Sequence, residues 1–352
     1  MTTENFSLRE IQPNDSPGLV KLITEFEDDL TTHFQVDPYQ AIVYGTENRT
    51  TGVVVEGVGE SDFIGMGTVR FSAVQFNSDI LPLAFLDGLK VRKEFRAKGL
   101  GYKIASWRVQ KARQEWGDQC VIGTGMLHSN HASHAVAQKW CREFVESAVQ
   151  ALFVPMRASR PKSPAGVAFR EIEPGEYQEF AQKQNKFYGK YNLYPPGSPE
   201  SIVHALGVNV EGRRPYRYIA VVDVNGNLLA GAQTWARGLL KRDTVNHLPT
   251  AFLILNKFAH LLPADLTIRD VAVNGLWYEA SQENAARHLW EVLRWLCRDQ
   301  GSTLAAGFDL RDPAAKLVPL KPWYQPRPQI TLAIHAPTSL NRDQLLFASG
   351  RV

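Results

Sequence analysis

The chain has 352 residues, of which 44% are hydrophobic and 21% charged, a composition typical of a globular protein that is long enough for two hydrophobic cores. Its three cysteines have no metal-like spacing and argue against a disulfide framework, which indicates a reducing, cytoplasmic compartment. The sequence shows no signal-peptide pattern, no membrane-length apolar run and no basic stripe, and its net charge is only +3, so we expect neither a membrane nor a nucleic-acid partner.

The first 91 residues contain the pattern of four strands and one helix. Residues 6–12 alternate as in a half-buried strand, and Asn14 caps a following helix. Residues 51–58 and 63–74 are β-branched and aromatic runs joined by a short polar turn, which predicts a hairpin. An apolar run over 83–91 predicts a further strand.

A glycine loop follows that strand and opens a helix near Tyr102. It reads Arg-Ala-Lys-Gly-Leu-Gly over residues 96–101. Glycine lets the backbone approach a ligand closely, and the free amides of a helix N-terminus point at an anion. Lysines and arginines outnumber carboxylates over residues 90–113, so the local field is positive. The loop lacks the Gly-Lys-Ser/Thr of a P-loop and the third glycine of the dinucleotide fingerprint, which argues against both of those sites.

The first half closes with a strand over 119–126, a helix that Asn130 caps and that runs to Arg142, and a strand over 149–156. The resulting order is β-α-β-β-β-α-β-α-β. The loop also fits the motif Gln/Arg-x-x-Gly-x-Gly/Ala at every defined position. This combination resembles the GNAT superfamily of N-acetyltransferases, and the resemblance implies a mixed α/β fold for residues 1–157.

The resemblance also implies a site for acetyl-coenzyme A or another acyl-coenzyme A, without a metal. Relatives hold the pantetheine arm with the backbone of the strand before the loop, which here corresponds to Leu89 and Val91. Asn130 would contact the coenzyme from the next helix. The residues that would hold the pyrophosphate are those of the loop and the first helical turn: Arg96, Ala97, Lys98, Gly99, Leu100, Gly101, Tyr102 and Lys103.

In the superfamily an amine attacks the thioester directly, so the protein needs a group that accepts the amine's proton and one that protonates the thiolate. Asp87 lies about where relatives carry a glutamate base. The tyrosine that serves as the usual acid is missing, because Ala137 or Gln138 takes its place. Nearby residues that could substitute for it are His128, Ser129, His131 and His134. An acidic run at 25–29 could attract a cationic amine, although a solvated helix face explains it better.

Three histidines, His128, His131 and His134, follow one another at steps of three. Such spacing places side chains on one face of a helix, which allows a zinc site. No cysteine or carboxylate joins them, and His128 precedes the helix. We therefore expect a solvated helix start here and no metal.

The second half contains a degraded copy of the first. Phe-Arg-Glu-Ile-Glu-Pro at 169–174 repeats Leu-Arg-Glu-Ile-Gln-Pro at 8–13, which is an offset of 161. Further along the offset is 182, and residues 271–273 then match 89–91. An insertion at 188–214 would reconcile the two offsets. Internal repetition of this kind predicts two similar folding units.

We therefore predict a tandem GNAT fold with domains at 1–157 and 167–352, joined by a polar, proline-containing linker at 158–166. At the offset of 182 the loop glycines are replaced, and the copy carries Glu279 and Glu283. Carboxylates there would repel a pyrophosphate, so we expect the second domain to be degenerate. Tandem proteins of this outline include mycothiol synthase and the plant Hookless-type proteins, and the sequence does not choose between them.

Three functions are compatible with these expectations. The first is an N-acyltransferase that uses acyl-coenzyme A and the amine of a small molecule or peptide, with catalysis in the first half. The second is a sensor or scaffold that binds coenzyme A without turnover, which the missing tyrosine favours. The third is a GNAT-like enzyme that cleaves acyl-coenzyme A without an amine. If the closing strands, 149–156 and 330–336, lie near the interface of the two halves, the second half is retained because it covers apolar surface and shapes the groove over Gly99.

Overall fold

The alternating strands and helices of the sequence build one large mixed sheet with helices on both faces. The computed structural model describes residues 6–24, 30–44, 48–57, 62–248, 250–259, 262–318 and 328–348. Twelve of the described strands form this sheet, and the others form small sheets of three and two strands. None of the helices within these ranges is long and apolar enough to cross a bilayer.

The elements of the first half, up to residue 157, come first in the numbering used below. Its strands are β1 (Phe6–Glu10), β2 (Leu30–Phe34), β3 (Arg49–Gly57), β4 (Gly65–Phe76), β5 (Asp79–Val91), β6 (Val121–Leu127) and β7 (Glu143–Pro155). Its helices are α1 (Ser16–Thr24), α2 (Leu100–Trp116) and α3 (His131–Ala137).

The second half continues the same numbering. Its strands are β8 (Val167–Glu171), β9 (Tyr191–Asn192), β10 (Tyr216–Asp223), β11 (Leu228–Trp235), β12 (Lys241–Val245), β13 (Thr267–Ile268), β14 (Asp270–Tyr278), β15 (Thr303–Asp309), β16 (Gln329–His335) and β17 (Leu345–Leu346). Its helices are α4 (Tyr177–Tyr188), α5 (Pro199–Gly207), α6 (Thr250–Ala259) and α7 (Glu283–Leu296). Residues 158–166, the predicted linker, contain neither a helix nor a strand.

The strand order of the large sheet shows that the two halves are copies of each other. The order is β1-β3-β4-β5-β6-β16-β7-β15-β14-β11-β10-β8. Strands at the same distance from the two edges are counterparts: β1 and β8, β3 and β10, β4 and β11, β5 and β14, β6 and β15, and β16 and β7. The sheet therefore has a pseudo-twofold axis between β16 and β7, and the tandem GNAT architecture that the sequence predicts is present.

The two closing strands are exchanged between the halves. β16 of the second half pairs along its whole length with β6 of the first, from Ile330–Leu127 to His335–Ile122. β7 of the first half pairs with β15 of the second, and also with β16. Both closing strands therefore lie at the interface of the two halves, and this interface is a continuous hydrogen-bonded sheet.

The two halves also share a side-chain motif near their first strands. Arg9 binds the carboxylate of Asp15 with two hydrogen bonds of 2.8 Å, and Asp15 also accepts the backbone N–H of Gln12. In the second half Arg170 binds Glu176 in the same way, and Glu176 accepts the N–H of Glu173. Each carboxylate thereby satisfies an amide at the start of the following helix.

The positions of several predicted elements need correction. The helix predicted to reach Arg142 is α3 and ends at Ala137, because Arg142 already donates its N–H to Ile334 of β16. The strand predicted at 149–156 is β7 and starts at Glu143, and the positive φ of Ser147 marks an irregularity that interrupts its alternation. β2 was not predicted, and the acidic run at 25–29 lies outside the described residues.

The predicted residue equivalences between the halves are also partly wrong. β5 and β14 each contain a positive-φ glycine, Gly88 and Gly275, at the same point of the pairing with the neighbouring strand, so the offset there is 187 and not 182. The extra residues of the second half lie between β11 and β14, where β12, α6 and β13 are inserted, and not at 188–214. The loop between β14 and α7 is shorter than the glycine loop. The offset between equivalent residues is therefore 182 again at β6 and β15.

Candidate active site

Strands β5 and β6 diverge and leave a wedge-shaped gap in the sheet. They pair only through residues 83–85 and 121–123, although both strands continue beyond these residues. The Thr124 hydroxyl donates to the Leu86 carbonyl at 2.7 Å and closes the narrow end of the gap. Past this point no described strand pairs with the facing strand edges, so an extended ligand with amide groups could pair with their backbone groups.

The strand residues predicted to contact a coenzyme lie on the β5 side of the gap. The side chains of Leu89 and Val91 pack toward α2, against the cluster that contains Leu100 and Ile104. Only their backbone is therefore suited to a ligand in the gap. The Arg96 side chain folds back from the loop and donates to the Val91 carbonyl at 3.1 Å.

The glycine loop turns sharply before α2. Ala97 and Gly99 have φ values of +61° and +78°, and α2 begins at Leu100, two residues earlier than predicted. Backbone turns with positive φ gather successive amides into a concave anion site, and the first amides of a helix have no partner within it. Open space surrounds the position that a Cβ of Gly99 would occupy. Gly99 therefore allows both the backbone turn and a close approach of an anion.

The second glycine of the loop has a different role. A Cβ on Gly101 would lie 3.2 Å from Cγ2 of Val136, so Gly101 lets α2 and α3 pack closely. Asn130 caps α3 by accepting the N–H of Ser133 at 3.0 Å. Because its amide oxygen is engaged in this way, a contact between Asn130 and a coenzyme would use the amide NH2.

One cationic side chain of the loop is buried, and the others are exposed near the start of α2. Arg92 is buried and lies 3.7 Å from the carboxylate of Asp62, which assigns it a structural role. Lys98 places its ammonium 5.0 Å from the centre of the Phe95 ring. The exposed cations around the start of α2 are Lys93, Arg96, Lys98 and Lys103. Together with the helix dipole they make this corner of the molecule attractive to a phosphate group.

Asp87 lies on β5 next to the narrow end of the gap. Its carboxylate accepts the Gly88 N–H at 2.8 Å and lies 3.4 Å from the guanidinium of Arg70 on β4. Burial by the surrounding protein disfavours the charged form, but Arg70 and the Gly88 amide outweigh it, and Lys241 and Arg237 of the second half act in the same direction. The pKa of Asp87 is therefore lowered, and its side chain, which is 52% exposed, is an anion at neutral pH.

A buried arginine supports the backbone at this point. Arg108 of α2 donates to the carbonyls of Thr68 and Asp87, at 3.3 and 2.9 Å, where the pairing of β4 and β5 is interrupted. Burial lowers the pKa of Arg108 to about 10. The sequence pattern counted Arg108 among the cations of the phosphate loop, but it points into the sheet and holds Asp87 in place.

A cavity of about 360 Å³ lies against the other face of the sheet from α2, between the two halves. Its walls in the first half include Arg70, Phe85 and Thr124, so it adjoins the narrow end of the gap. Its walls in the second half include Gln233 and Asn274, which form a hydrogen bond of 3.1 Å. Asn274 occupies the position equivalent to Asp87, so the second copy has a neutral amide where the first has a carboxylate.

The two predicted catalytic residues are not brought together. His128 follows β6 and bonds through Nδ1 to the Thr331 hydroxyl at 3.1 Å. It lies four residues beyond Thr124, about 13 Å along an extended strand, whereas Asp87 lies beside the narrow end. His134 packs edge-on to His128, with ring centres 6.1 Å apart. Within the described ranges no three His, Cys, Asp or Glu side chains form a metal-binding group.

The equivalent gap in the second half is filled by the protein itself. β14 and β15 pair through residues 270–272 and 303–305 and then diverge. Tyr188 is buried there and donates its hydroxyl to the Leu276 carbonyl at 2.6 Å, and Phe347 packs against its ring. The remaining cavity is only about 10 Å³. The position equivalent to Tyr188 in the first half falls in residues 25–29, outside the described part of the chain.

The split parallel strands, the glycine loop and the helix that follows it define the class of protein: a GNAT fold, present here in two copies. The N-myristoyltransferase of Saccharomyces cerevisiae, solved with bound myristoyl-CoA, is similar over 99% of this chain and 89% of its own, with 10% identity and a TM-score of 0.65. A GCN5-related N-acetyltransferase from Sphaerobacter thermophilus is similar over 96% and 98%, with 12% identity and a TM-score of 0.57.

A second GCN5-related N-acetyltransferase, from Kribbella flavida, matches 94% of this chain and 71% of its own, with 11% identity and a TM-score of 0.52. No protein-family model and no curated protein matches the sequence. Structural similarity at this level of sequence identity establishes the fold alone.

Sequence reasoning missed two residues of the site. Arg70 lies inside a β-branched run, where the sequence suggests only that a single charged residue points to solvent. Tyr188 stands in the segment interpreted as an insertion, and nothing local shows that its ring fills a gap between two later strands. The alternation of β4 could have indicated that Arg70 shares a face with Ser72, but not that Asp87 lies diagonally across from it on β5.

Proposed function

We propose that the protein is an N-acyltransferase that transfers an acetyl group from acetyl-coenzyme A to the amine of a small molecule, in a site formed by residues 1–157. The observation that carries this proposal is the gap between β5 and β6. It gathers an unpaired strand edge, the amides of the glycine loop and an ionised carboxylate around one opening that adjoins a cavity. The myristoyl-CoA bound to a structurally similar protein supports a coenzyme in this place.

The parts of the site match the steps of the reaction. The backbone of Leu89 and Val91 holds the pantetheine arm, and the loop from Arg96 to Lys103 holds the pyrophosphate. The amine nitrogen attacks the thioester carbon, its C–N bond forms, and the C–S bond breaks. Asp87 accepts the proton that the nitrogen loses, directly or through a water, and the thiolate takes a proton from solvent.

Replacing Asp87 by asparagine is expected to lower kcat by about 100-fold, at the low end of the range for loss of a general base, without changing the affinity for acetyl-coenzyme A. Because the pKa of Asp87 is lowered, Asp87 is ionised throughout pH 5–8. If the rate falls as the pH is lowered within that range, which is the acid limb of the profile, the fall must come from protonation of the acceptor's amine. We expect the limb to keep its position in the Asp87→Asn variant.

Asp79→Asn, at the other end of the same strand, is the matched control and should have normal kinetics. Full activity in Asp87→Asn would remove Asp87 from the mechanism. A shift of the acid limb in that variant would show that the limb belongs to Asp87 and not to the acceptor.

Release of free thiol from acetyl-coenzyme A separates the candidate functions. An N-acyltransferase releases thiol only when an amine is present, a cleaving enzyme releases it without one, and a sensor binds the coenzyme without releasing any. Acetyl-, octanoyl- and myristoyl-coenzyme A should be compared, since the similar myristoyltransferase uses a long chain. Turnover of the long chains but not of the acetyl group would overturn the acetyl assignment.

Calorimetry is expected to find one coenzyme per chain. Tyr188 and Phe347 occupy the second gap, and the loop that follows β14 carries no glycine. A stoichiometry of two would contradict the assignment of the second half as degenerate.

A further inference from the structure

The cavity between the halves shows what kind of acceptor the site takes. Of the described residues that line it, only Arg70 carries a permanent charge, and none is a carboxylate. Its volume of about 360 Å³ is at the lower end of the range for small-molecule pockets, roughly 300–1,000 Å³. The cavity is therefore sized for a small molecule with an anionic group.

Arg70, the cation in the cavity wall, forms an ion pair with Asp87, which lies behind it and does not itself line the cavity. Arg70 and Asp87 lie on adjacent strands and on the same face of the sheet, and their charged groups are 3.4 Å apart. That distance is too long for a strong hydrogen bond between them. A molecule that carries a cation and an anion one carbon apart could bond to both, with its ammonium on Asp87 and its carboxylate on Arg70.

The residues around Arg70 and Asp87 are complementary to the remaining part of such a ligand. The guanidinium of Arg70 lies over the Phe85 ring, 5.1 Å from its centre, which fixes the direction of the charge. Leu83 beside Phe85, and Leu332 and Ile334 of β16, give the cavity an apolar floor. This floor suits an aliphatic or aromatic side chain.

Resting on the proposed function, we propose that the acceptor is a free α-amino acid with an apolar side chain, and that the product is its N-acyl derivative. The carboxylate binds Arg70, the side chain lies on the apolar floor, and the amine is held by Asp87 beside the narrow end of the gap. Because Asp87 lies next to the narrow end of the gap and 3.4 Å from Arg70 in the cavity wall, the bound amine faces the place where the thioester carbon would lie.

The first test compares ligands on the unchanged protein and does not require turnover. Calorimetry in the presence of coenzyme A should give binding of L-leucine and L-phenylalanine. Leucinamide and isopentylamine keep the amine and the side chain but lack the carboxylate, and we expect each to bind about 10- to 100-fold more weakly. Equal binding of leucine and isopentylamine, or no binding of either amino acid, would overturn the inference.

The same comparison of ligands includes a peptide with an N-terminal leucine. Its amine and side chain match leucine, but an amide replaces the α-carboxylate. Tighter binding or faster acylation of the peptide than of leucine would replace the amino acid by a peptide as acceptor, and would leave the N-acyltransferase function intact. Failure of acetyl-coenzyme A to bind would count against the function itself.

The second test changes the protein. Arg70→Gln should raise the KM for leucine about 10- to 100-fold, change the KM for isopentylamine little, and leave the affinity for acetyl-coenzyme A unchanged. Arg70→Lys keeps the charge and should recover part of the affinity, which a purely structural role would not predict. Arg287→Gln, on the exposed face of α7, is the control. An unchanged KM for leucine in a folded Arg70→Gln variant would remove Arg70 from acceptor recognition.

Discussion

A chain that ends at Ser163 is expected to be insoluble or unable to fold cooperatively. β7 lies between β15 and β16, so the truncation removes both of its neighbours, and it also removes the neighbour of β6. Four aliphatic side chains of β7 are buried in the full chain: Val145, Val149, Leu152 and Val154. At about 1.5–3 kcal/mol each, their exposure costs an amount comparable with the whole stability of a domain, roughly 5–15 kcal/mol.

The measurement is the soluble yield and the thermal melting of the fragment, followed by circular dichroism. As a control, a protease site in residues 158–166 allows the full chain to be cut after folding. Since the exchanged strands hold the halves together, the cut protein should elute as one species and still bind acetyl-coenzyme A. A fragment that melts as cooperatively as the full chain and binds the coenzyme equally well would show that the halves fold independently.

Gly99→Glu is expected to abolish binding of acetyl-coenzyme A. The substitution places a carboxylate before the first turn of α2, where charge effects reach up to about 2 kcal/mol and would turn from attraction to repulsion. It also forces a side chain into a backbone conformation with a φ of +78°. Together these effects should weaken binding at least about 100-fold in calorimetry.

Gly212→Glu is the matched control, because Gly212 also has a positive φ, +80°, and open space around its Cβ position. Both variants should have similar melting temperatures, and only Gly99→Glu should lose the coenzyme. If both retain normal affinity, the loop is not the pyrophosphate site. If both lose it, the effect reflects unfolding, and Gly99→Ala, which adds no charge, then separates backbone strain from repulsion.

The glycine loop and its backbone turn could be predicted because their information is local. A strand, two glycines and a helix occupy adjacent positions in the sequence, and the backbone conformation of Gly99 follows from its own lack of a Cβ. The repeat could be detected for the same reason, since the motif that starts each half joins Arg9 to Asp15 and Arg170 to Glu176 within seven residues. These elements require no knowledge of distant partners.

The exchanged strands and the cavity between the halves could not be predicted, because they depend on which of two similar edges a strand joins. β7 and β16 are both apolar closing strands, and neither sequence indicates whether it pairs within its own half. The pairing of Arg70 with Asp87 depends on the register of β4 against β5, which a bulge near Gly88 shifts. The predicted offset of 182 failed at β14 because one loop shortened and another segment grew.

The exchange also imposes an order on synthesis. Leu127 of β6 pairs with Ile330 of β16, which leaves the ribosome about 200 residues later. At roughly 5–20 residues per second, β6 waits about 10–40 s for this neighbour. During that time one edge of β6 is an open template for other chains, and pairings so distant in sequence form slowly. We therefore expect the nascent first half to be more prone to wrong strand pairing than the complete chain.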